Sequence, residues 1–331
     1  MESERRPRLS PAIADIRRAI RDVLPAAGES VLVGLSGGAD SLALAAATAF
    51  EATRAQVAAG AVIIDHGLQH GSADVASAAA QQAQNLGLDP VIVRRVHVSD
   101  APGGEGPEGA ARSARYAAFD QILDETGASS LLLGHTLDDQ AETVLLGLAR
   151  GSGATSLQGM ASESGRYLRP MLAIRREQTR QFCSDSGLTP WNDPQNADPR
   201  YARVRVRQNV LPVMEAELGP GVAEALARTA AQLREDSAAL DEMVLEFIEE
   251  ICEPAEAGIA ISVGALEANP PALRQRIIRF VVESEFGVSL ERVHTLAVSR
   301  LVTDWHGQKA LDLPGVRVNR QDGLLVFTAQ R

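Results

Sequence analysis

GESVLVGLSGGADS, residues 28–41, runs from an aliphatic stretch through a glycine turn into the alanine-rich segment Ser41–Arg54. A short run that is apolar on both faces, followed by a helix-length segment, reads as a strand of a parallel sheet with its crossover helix. The form recurs. GAVIIDHG (60–67), DPVIVRRV (89–96) and SSLLLGH (129–135) are further aliphatic runs, each separated from the next by a helix-length segment. The order predicts an α/β domain, a parallel sheet with helices on both faces. Ligands of such sheets bind at the carboxyl ends of the strands. Three polar clusters fall at those ends: Ser36–Asp40, Asp65–His66 and His135–Asp139.

The first cluster ends a strand and opens a helix. Gly37 and Gly38 let the backbone approach an anion closely, while Ser36, Ser41 and the helix-start amides offer donors to phosphate oxygens. The spacing is neither GxxxxGK[ST] nor GxGxxG. Asp40 among phosphate donors is repulsive unless a divalent cation mediates, and Mg2+ shared between carboxylate and phosphates removes the conflict. In the second cluster, HTLDDQAET (135–143), Asp138, Asp139 and Glu142 gather on one helix face near its start. Helix capping explains acids there; a metal or a cationic substrate explains three acids beside His135. In EGAARSARY (108–116), Glu108 and Arg112 are spaced for an i,i+4 ion pair, whereas Arg112 and Arg115 on one face would suit phosphate or carboxylate.

The 331 residues exceed the span of a usual single core, so two unequal domains are expected, 1–220 and 221–331, with a boundary near ELGPG. The second reads as mainly helical, with short terminal strands around the turn dipeptides Pro314-Gly315 and Asp322-Gly323. SDAPGGEGPEG, before the Arg112 helix, is expected to be a loop, and GSGATSLQGMASESGRY (151–167) to be irregular. Two cysteines make neither a disulfide framework nor a four-thiolate metal site. No apolar run approaches the roughly 20 residues of a membrane span, and the charged start lacks a secretory core. A cytoplasmic protein without membrane contact is the expectation. A homodimer is compatible with the sequence, which does not determine the oligomeric state.

The net charge of −11 opposes nucleic acid as a total, but its distribution does not. Between Arg166 and Arg207 nine arginines face four acids, a positive patch suited to phosphates.

Together these residues resemble the PP-loop (N-type) ATP pyrophosphatases and, within them, the family of tRNA(Ile)-lysidine synthases. LSGGADS carries the general likeness. IIDHGL (63–68), EGAARSARY, LLLGHTLDDQAETVLLGLARGSG (131–153), YLRPML (167–172) and WNDPQNADPRYARVRVR (191–207) carry the narrower one. The likeness is strong over roughly residues 28–215. It implies a Rossmann-like nucleotide-binding domain. It also implies ATP and Mg2+ as cofactors, with the CAU-anticodon tRNA(Ile) and free L-lysine as partners. In that chemistry ATP adenylates the 2-carbonyl oxygen of the wobble cytosine, and the lysine ε-amino group then displaces AMP. The implied nucleotide-binding residues are Ser36, Gly37, Gly38, Asp40, Ser41, Asp65, His66, Gly134 and His135. Asp40 and Asp139 would hold the metal. Asp40, Asp139, Glu142, Arg112 and Arg203 would serve the chemistry, and Arg169, Arg175, Arg176, Arg205 and Arg207 would hold tRNA. Two positions depart from the family: Gln195 stands where serine is common, and Val204 where asparagine is common. The chain is expected to stop short of the additional C-terminal domain of longer members. The alternatives are another PP-loop adenylating enzyme, such as a tRNA thiolase, and a non-catalytic tRNA-binding protein.

Overall fold

A computed structural model of the chain describes residues 10–67, 71–96, 106–151, 153–255 and 258–330. Leu68, most of the expected glycine-rich loop and Ser152 lie outside the described residues. The chain divides into two compact units, up to Gln232 and from Leu233 onward.

The first unit contains strands β1 (Ser30–Gly34), β2 (Ala58–Asp65), β3 (Val91–Arg95), β4 (Ser130–Leu132), β5 (Glu163–Ser164) and β6 (Tyr167–Leu168). They form one sheet in the order β3-β2-β1-β4-β6-β5, parallel except for the β5–β6 hairpin. Its helices are α1 (Pro11–Arg21), α2 (Ala39–Ala55), α3 (Ser72–Asn85), α4 (Gly106–Thr126), α5 (Leu137–Arg150), α6 (Ala154–Leu157), α7 (Arg176–Asp185), α8 (Ala202–Arg205) and α9 (Leu211–Leu218). Helix α10 (Val222–Ile251) begins in this unit and continues into the next.

Strand periodicity sorts the core into two layers. Val31, Val33 and Leu35 of the β1 segment, with Ala61 and Ile63 of β2, join one apolar cluster with residues of α1, α2, α3 and α7. Leu32, Val62, Leu131 and Leu133 point to the other face, against Phe119, Ile122 and Leu123 of α4. Burial on both faces explains why these strands are uninterrupted aliphatic runs, each such side chain contributing about 2 kcal/mol. The chain steps from β1 to β2 and β3, then returns to place β4 on the other side of β1. The carboxyl ends of β1 and β4 therefore flank the crevice where strand order reverses, the favoured binding position of such sheets.

Two features differ from the sequence expectation. The stretch 151–167 holds α6 and the β5–β6 hairpin rather than purely irregular chain, and β6 extends the sheet beside β4. Two-residue strands are too short to show a periodicity. Helix α4 begins at Gly106, inside the expected loop; Pro107 is tolerated there because a first-turn amide needs no intrahelical acceptor.

The second unit contains β7 (Cys252–Ala255), β8 (Gly258–Ser262), α11 (Val263–Ala268), α12 (Pro271–Phe286), α13 (Arg292–Thr303), β9 (Leu311–Leu313), β10 (Val316–Gln321) and β11 (Leu324–Ala329). Its strands form an antiparallel sheet in the order β7-β8-β11-β10-β9. Ile261, Leu273, Ile277, Val298, Val318 and Phe327 belong to its own core. The terminal strands were expected; β7 and β8 lie in a stretch read as helical. Among the described residues no helix is long and apolar enough to cross a membrane.

Candidate active site

The loop between β1 and α2 is held from three sides. Gly37 has φ +84°, a conformation that favours glycine, and its carbonyl accepts from the Trp191 amide at 2.9 Å. The Ser36 and Ser41 hydroxyls lie 3.0 Å apart, and Ser41 Oγ accepts from the Ser36 amide at 3.1 Å. Gly134, just past β4, packs so closely that an added Cβ would lie 3.1 Å from Ser41 N and Cα. No side chain caps α2 at Gly38, so its first-turn amides and positive dipole end are open to an anion.

Beside this loop lies a cavity of about 370 Å³, within the range of small-molecule sites. Its lining includes Ser36, Ser41, Asp65, His66, Gly134 and His135, the residues expected around a nucleotide. Arg112, Arg115 and Tyr116 of α4 close one side, and Trp191, Asp193 and Gln195 another. The Arg112 guanidinium lies 4.9 Å from the centre of the Tyr116 ring. Arg115 donates to His66 Nε2 from Nε at 3.1 Å, which assigns the proton of neutral His66 to Nδ1. The Nδ1 atoms of both His66 and His135 are buried without a protein partner. Burial lowers both imidazoles to about 4, with Arg115 adding to the effect at His66, so both rings are neutral near pH 7. Asp65 Oδ1 accepts from the Gly67 amide at 2.9 Å, shaping the turn after β2.

The acids converge next to the loop, around an arginine. Arg176, the first residue of α7, reaches Asp40 Oδ2 through Nε at 3.4 Å, Asp139 Oδ1 through Nη2 at 2.7 Å and Glu142 Oε1 through Nη1 at 3.0 Å. Asp139 Oδ2 accepts from both the amide and the hydroxyl of Thr136 at 2.9 Å, a capping arrangement at the start of α5. Thr179 hydrogen-bonds Asp40 Oδ1. Glu142 is fully buried and is also gripped by Arg207, at 2.7 and 3.0 Å. Burial raises the Asp40 carboxyl despite Thr179 and Arg176. At Asp139 burial acts in the same direction, but Arg176 and the Thr136 donors outweigh it and hold the group below the usual carboxylate range. Asp138 serves differently: it accepts from the Arg176 amide at 2.7 Å and pairs with Arg175. The second oxygens of Asp40 and Asp139 thus converge on Arg176, with Arg207 also 3.6 Å from Asp139 Oδ1. Hard carboxylate donors beside a phosphate-type loop fit Mg2+, which commonly takes one or two protein carboxylates and completes its shell with water and phosphate.

The arginine-rich segment is less exposed than its sequence suggests. Arg169 is buried, donating to the Ala161 carbonyl at 3.0 Å and to the Tyr116 hydroxyl at 3.4 Å. Arg175 pairs with Asp138, Glu215 and Glu224. Arg169 and Arg176, expected to contact tRNA phosphates, are instead turned inward, because nearby carbonyls and carboxylates engage their guanidinium donors. Arg203 is half-exposed, 3.2 Å from Thr143 Oγ1 and 3.9 Å from Glu142. Arg205 is exposed, with Nη1 anchored on the carbonyls of Pro199 and Arg200. Val204, the apolar departure, is buried, whereas Gln195 reaches the cavity wall.

Sequence spacing did not assign Arg176 or Thr179 to the acids, nor Trp191 to the back of the loop. Arg176 and Asp40 are 136 positions apart, so no local pattern could pair them.

The PP-loop domain family matches residues 12–214, and the TilS substrate binding domain matches residues 261–326. A tRNA(Ile)-lysidine synthase from Leifsonia xyli subsp. xyli is 66% identical over 303 residues, 91% of this chain and 90% of the relative. The tRNA(Ile)-lysidine synthase of Thermobifida fusca is 50% identical over 317 residues, 95% of each chain. Among solved structures, a U34-tRNA thiolase from Methanococcus maripaludis, with its [4Fe-4S] cluster, aligns at TM-score 0.56 and 20% identity. It covers 68% of this chain and 79% of that one, a likeness of fold. A domain match across more than half the sequence, and relatives this similar along nearly all of it, make the chain a member of the tRNA(Ile)-lysidine synthases of the PP-loop family.

Proposed function

We propose that the protein converts the wobble cytidine of CAU-anticodon tRNA(Ile) to lysidine, with ATP and free L-lysine, and that it works in the cytoplasm. The observation that carries this reading is the adjacency of an uncapped Ser–Gly loop and a three-acid cluster across the β1–β4 crevice. One element suits a triphosphate and the other an amine. ATP phosphates meet the α2 amides, Ser36 and Ser41, with adenosine in the cavity near His66 and His135. Both imidazoles line that cavity as neutral rings. The cytosine 2-carbonyl oxygen attacks the α-phosphorus, and pyrophosphate leaves. Mg2+ held by Asp40 and Asp139 would neutralise charge on the departing group.

Adenylation turns a poor leaving group into AMP, so the lysine amine can replace it without a protein nucleophile. Asp139 or Glu142 would face the ammonium and take the proton lost before attack; Glu142, fully buried and gripped by Arg176 and Arg207, can do so only when an arginine yields. Arg112, on the cavity wall, and Arg203, beside Glu142, would serve phosphate or the reacting base. The base must leave its loop to reach a crevice at a sheet edge. Arg205, exposed in the basic segment like Arg180 and Arg200, is a candidate for the tRNA backbone.

The thiolase alternative fits less well. Cys183 is buried with its thiol pushed up to about 11, chiefly by burial, and Cys252 belongs to the other unit. A thiolase would need cysteine pairs for sulfur or cluster handling, and neither cysteine has a second one near it in the sequence. The test incubates the protein with ATP, Mg2+, labelled lysine and a tRNA(Ile) transcript bearing CAU. Label enters the tRNA and is lost when the wobble cytidine is replaced by uridine. Pyrophosphate release without lysine incorporation would refute the assignment.

A further inference from the structure

We propose that Arg176 is a positioning residue, a resident cation that gathers Asp40, Asp139 and Glu142 and shares their open oxygens with the cations of the reaction. Each guanidinium nitrogen addresses a different carboxylate, from α2 and from two turns of α5. A planar guanidinium spreads its donors over three nitrogens and so spans three separate carboxylates, whereas an ammonium offers its three donors from a single nitrogen. The side chain is only 12% exposed, and its backbone amide donates to Asp138 Oδ2 at 2.7 Å.

Oxygen occupancy carries the inference. Asp139 Oδ2 is already taken by two Thr136 donors, and Asp40 Oδ1 by Thr179. The remaining oxygens, Asp139 Oδ1 and Asp40 Oδ2, are the ones Arg176 hydrogen-bonds, with Arg207 Nη2 standing further off at 3.6 Å from Asp139 Oδ1. A second cation at those acids has to share or displace the guanidinium. The contact to Asp40, at 3.4 Å, is the longest of the three and the first to yield. Arg176 thereby keeps three like charges converged before substrates arrive and limits how tightly a free metal ion binds without nucleotide.

The inference rests on Asp40 and Asp139 being the Mg2+ ligands, and the experiment separates the two ideas. Mg2+ binding to the full chain without nucleotide is measured by calorimetry for wild type, Arg176→Gln, Arg176→Lys and Arg176→Gln/Asp139→Asn. Removing one positive charge at contact distance should tighten Mg2+ binding by about tenfold or more in Arg176→Gln. Mg2+ should also raise the melting temperature of that variant more than that of wild type. Arg176→Lys should keep near-wild-type Mg2+ affinity yet lose kcat, with KM for ATP little changed. A purely structural arginine predicts lower stability with no gain in Mg2+ affinity, and that result overturns the proposal. If Arg176→Gln does not fold, unchanged kcat in Arg176→Lys overturns it. If the gained binding survives Asp139→Asn, the metal assignment fails, while the kcat loss in Arg176→Lys still judges the positioning role.

Discussion

Gly134→Ala isolates the spacing between the two halves of the site. The new methyl carbon would lie 3.1 Å from Ser41 Cα and N and 3.2 Å from the Asp40 carbonyl carbon. Carbon atoms prefer about 3.5–4.0 Å, so the overlap is roughly half an ångström. The neighbours are backbone atoms at the start of α2 and cannot rotate away, so the strand end and the loop must part by a few tenths of an ångström. Overpacking of this kind costs about 1–3 kcal/mol. The loop is also the proposed phosphate cradle, where a misplacement of about 1 Å can cost on the order of a hundredfold, so about a tenfold loss is expected here. Urea denaturation should show the stability loss, and pyrophosphate release with tRNA should show the rate loss. Gly264→Ala is the control, because its added carbon would meet Ser262 Oγ at an ordinary 3.9 Å. Full activity and stability in Gly134→Ala would refute the claim that this glycine sets the separation of loop and acids.

Two neutral histidines make stability depend on pH. Their folded values, about 4, lie below the ordinary 6.5, so the unfolded chain binds more protons between those limits. Stability is complete above about pH 6.5 and declines as pH falls toward 4; His66→Asn/His135→Asn should flatten that decline in urea midpoints, and an equal slope in both proteins would reject it. Arg205→Ala should weaken tRNA binding and reduce its salt slope by up to about one unit with little change in melting temperature. Arg169→Ala should instead cost about 1–3 kcal/mol of stability by orphaning the Ala161 carbonyl and removing one of two arginine donors to the Tyr116 hydroxyl; identical salt and thermal effects in the two variants would contradict their different burial.

Strands β1, β2 and β4 were legible because double-sided burial writes them as aliphatic runs, β3 because its edge position still keeps an aliphatic run, and Gly37 because a positive φ needs glycine. The PP-loop family, too, could be recognised from contiguous motifs. Strand β6 was not legible: Tyr167 and Leu168 are too few to show a period, and their pairing with Leu131 and Leu132 joins segments 36 positions apart. Strands β7 and β8 were hidden in the same way, between helices whose period dominates the reading.

Residue type and local spacing determined which groups were available: hydroxyls and glycines after β1, three acids at the start of α5, and arginines from 166 to 207. Only the folded chain decided which arginines face outward. Arg205 and Arg176 read alike in sequence, yet one is exposed and the other lies among three carboxylates. Charge is a property of a residue, whereas its partner is set by long-range packing. Here the return of the chain across β1 brings α2, α5 and α7 to a single crevice.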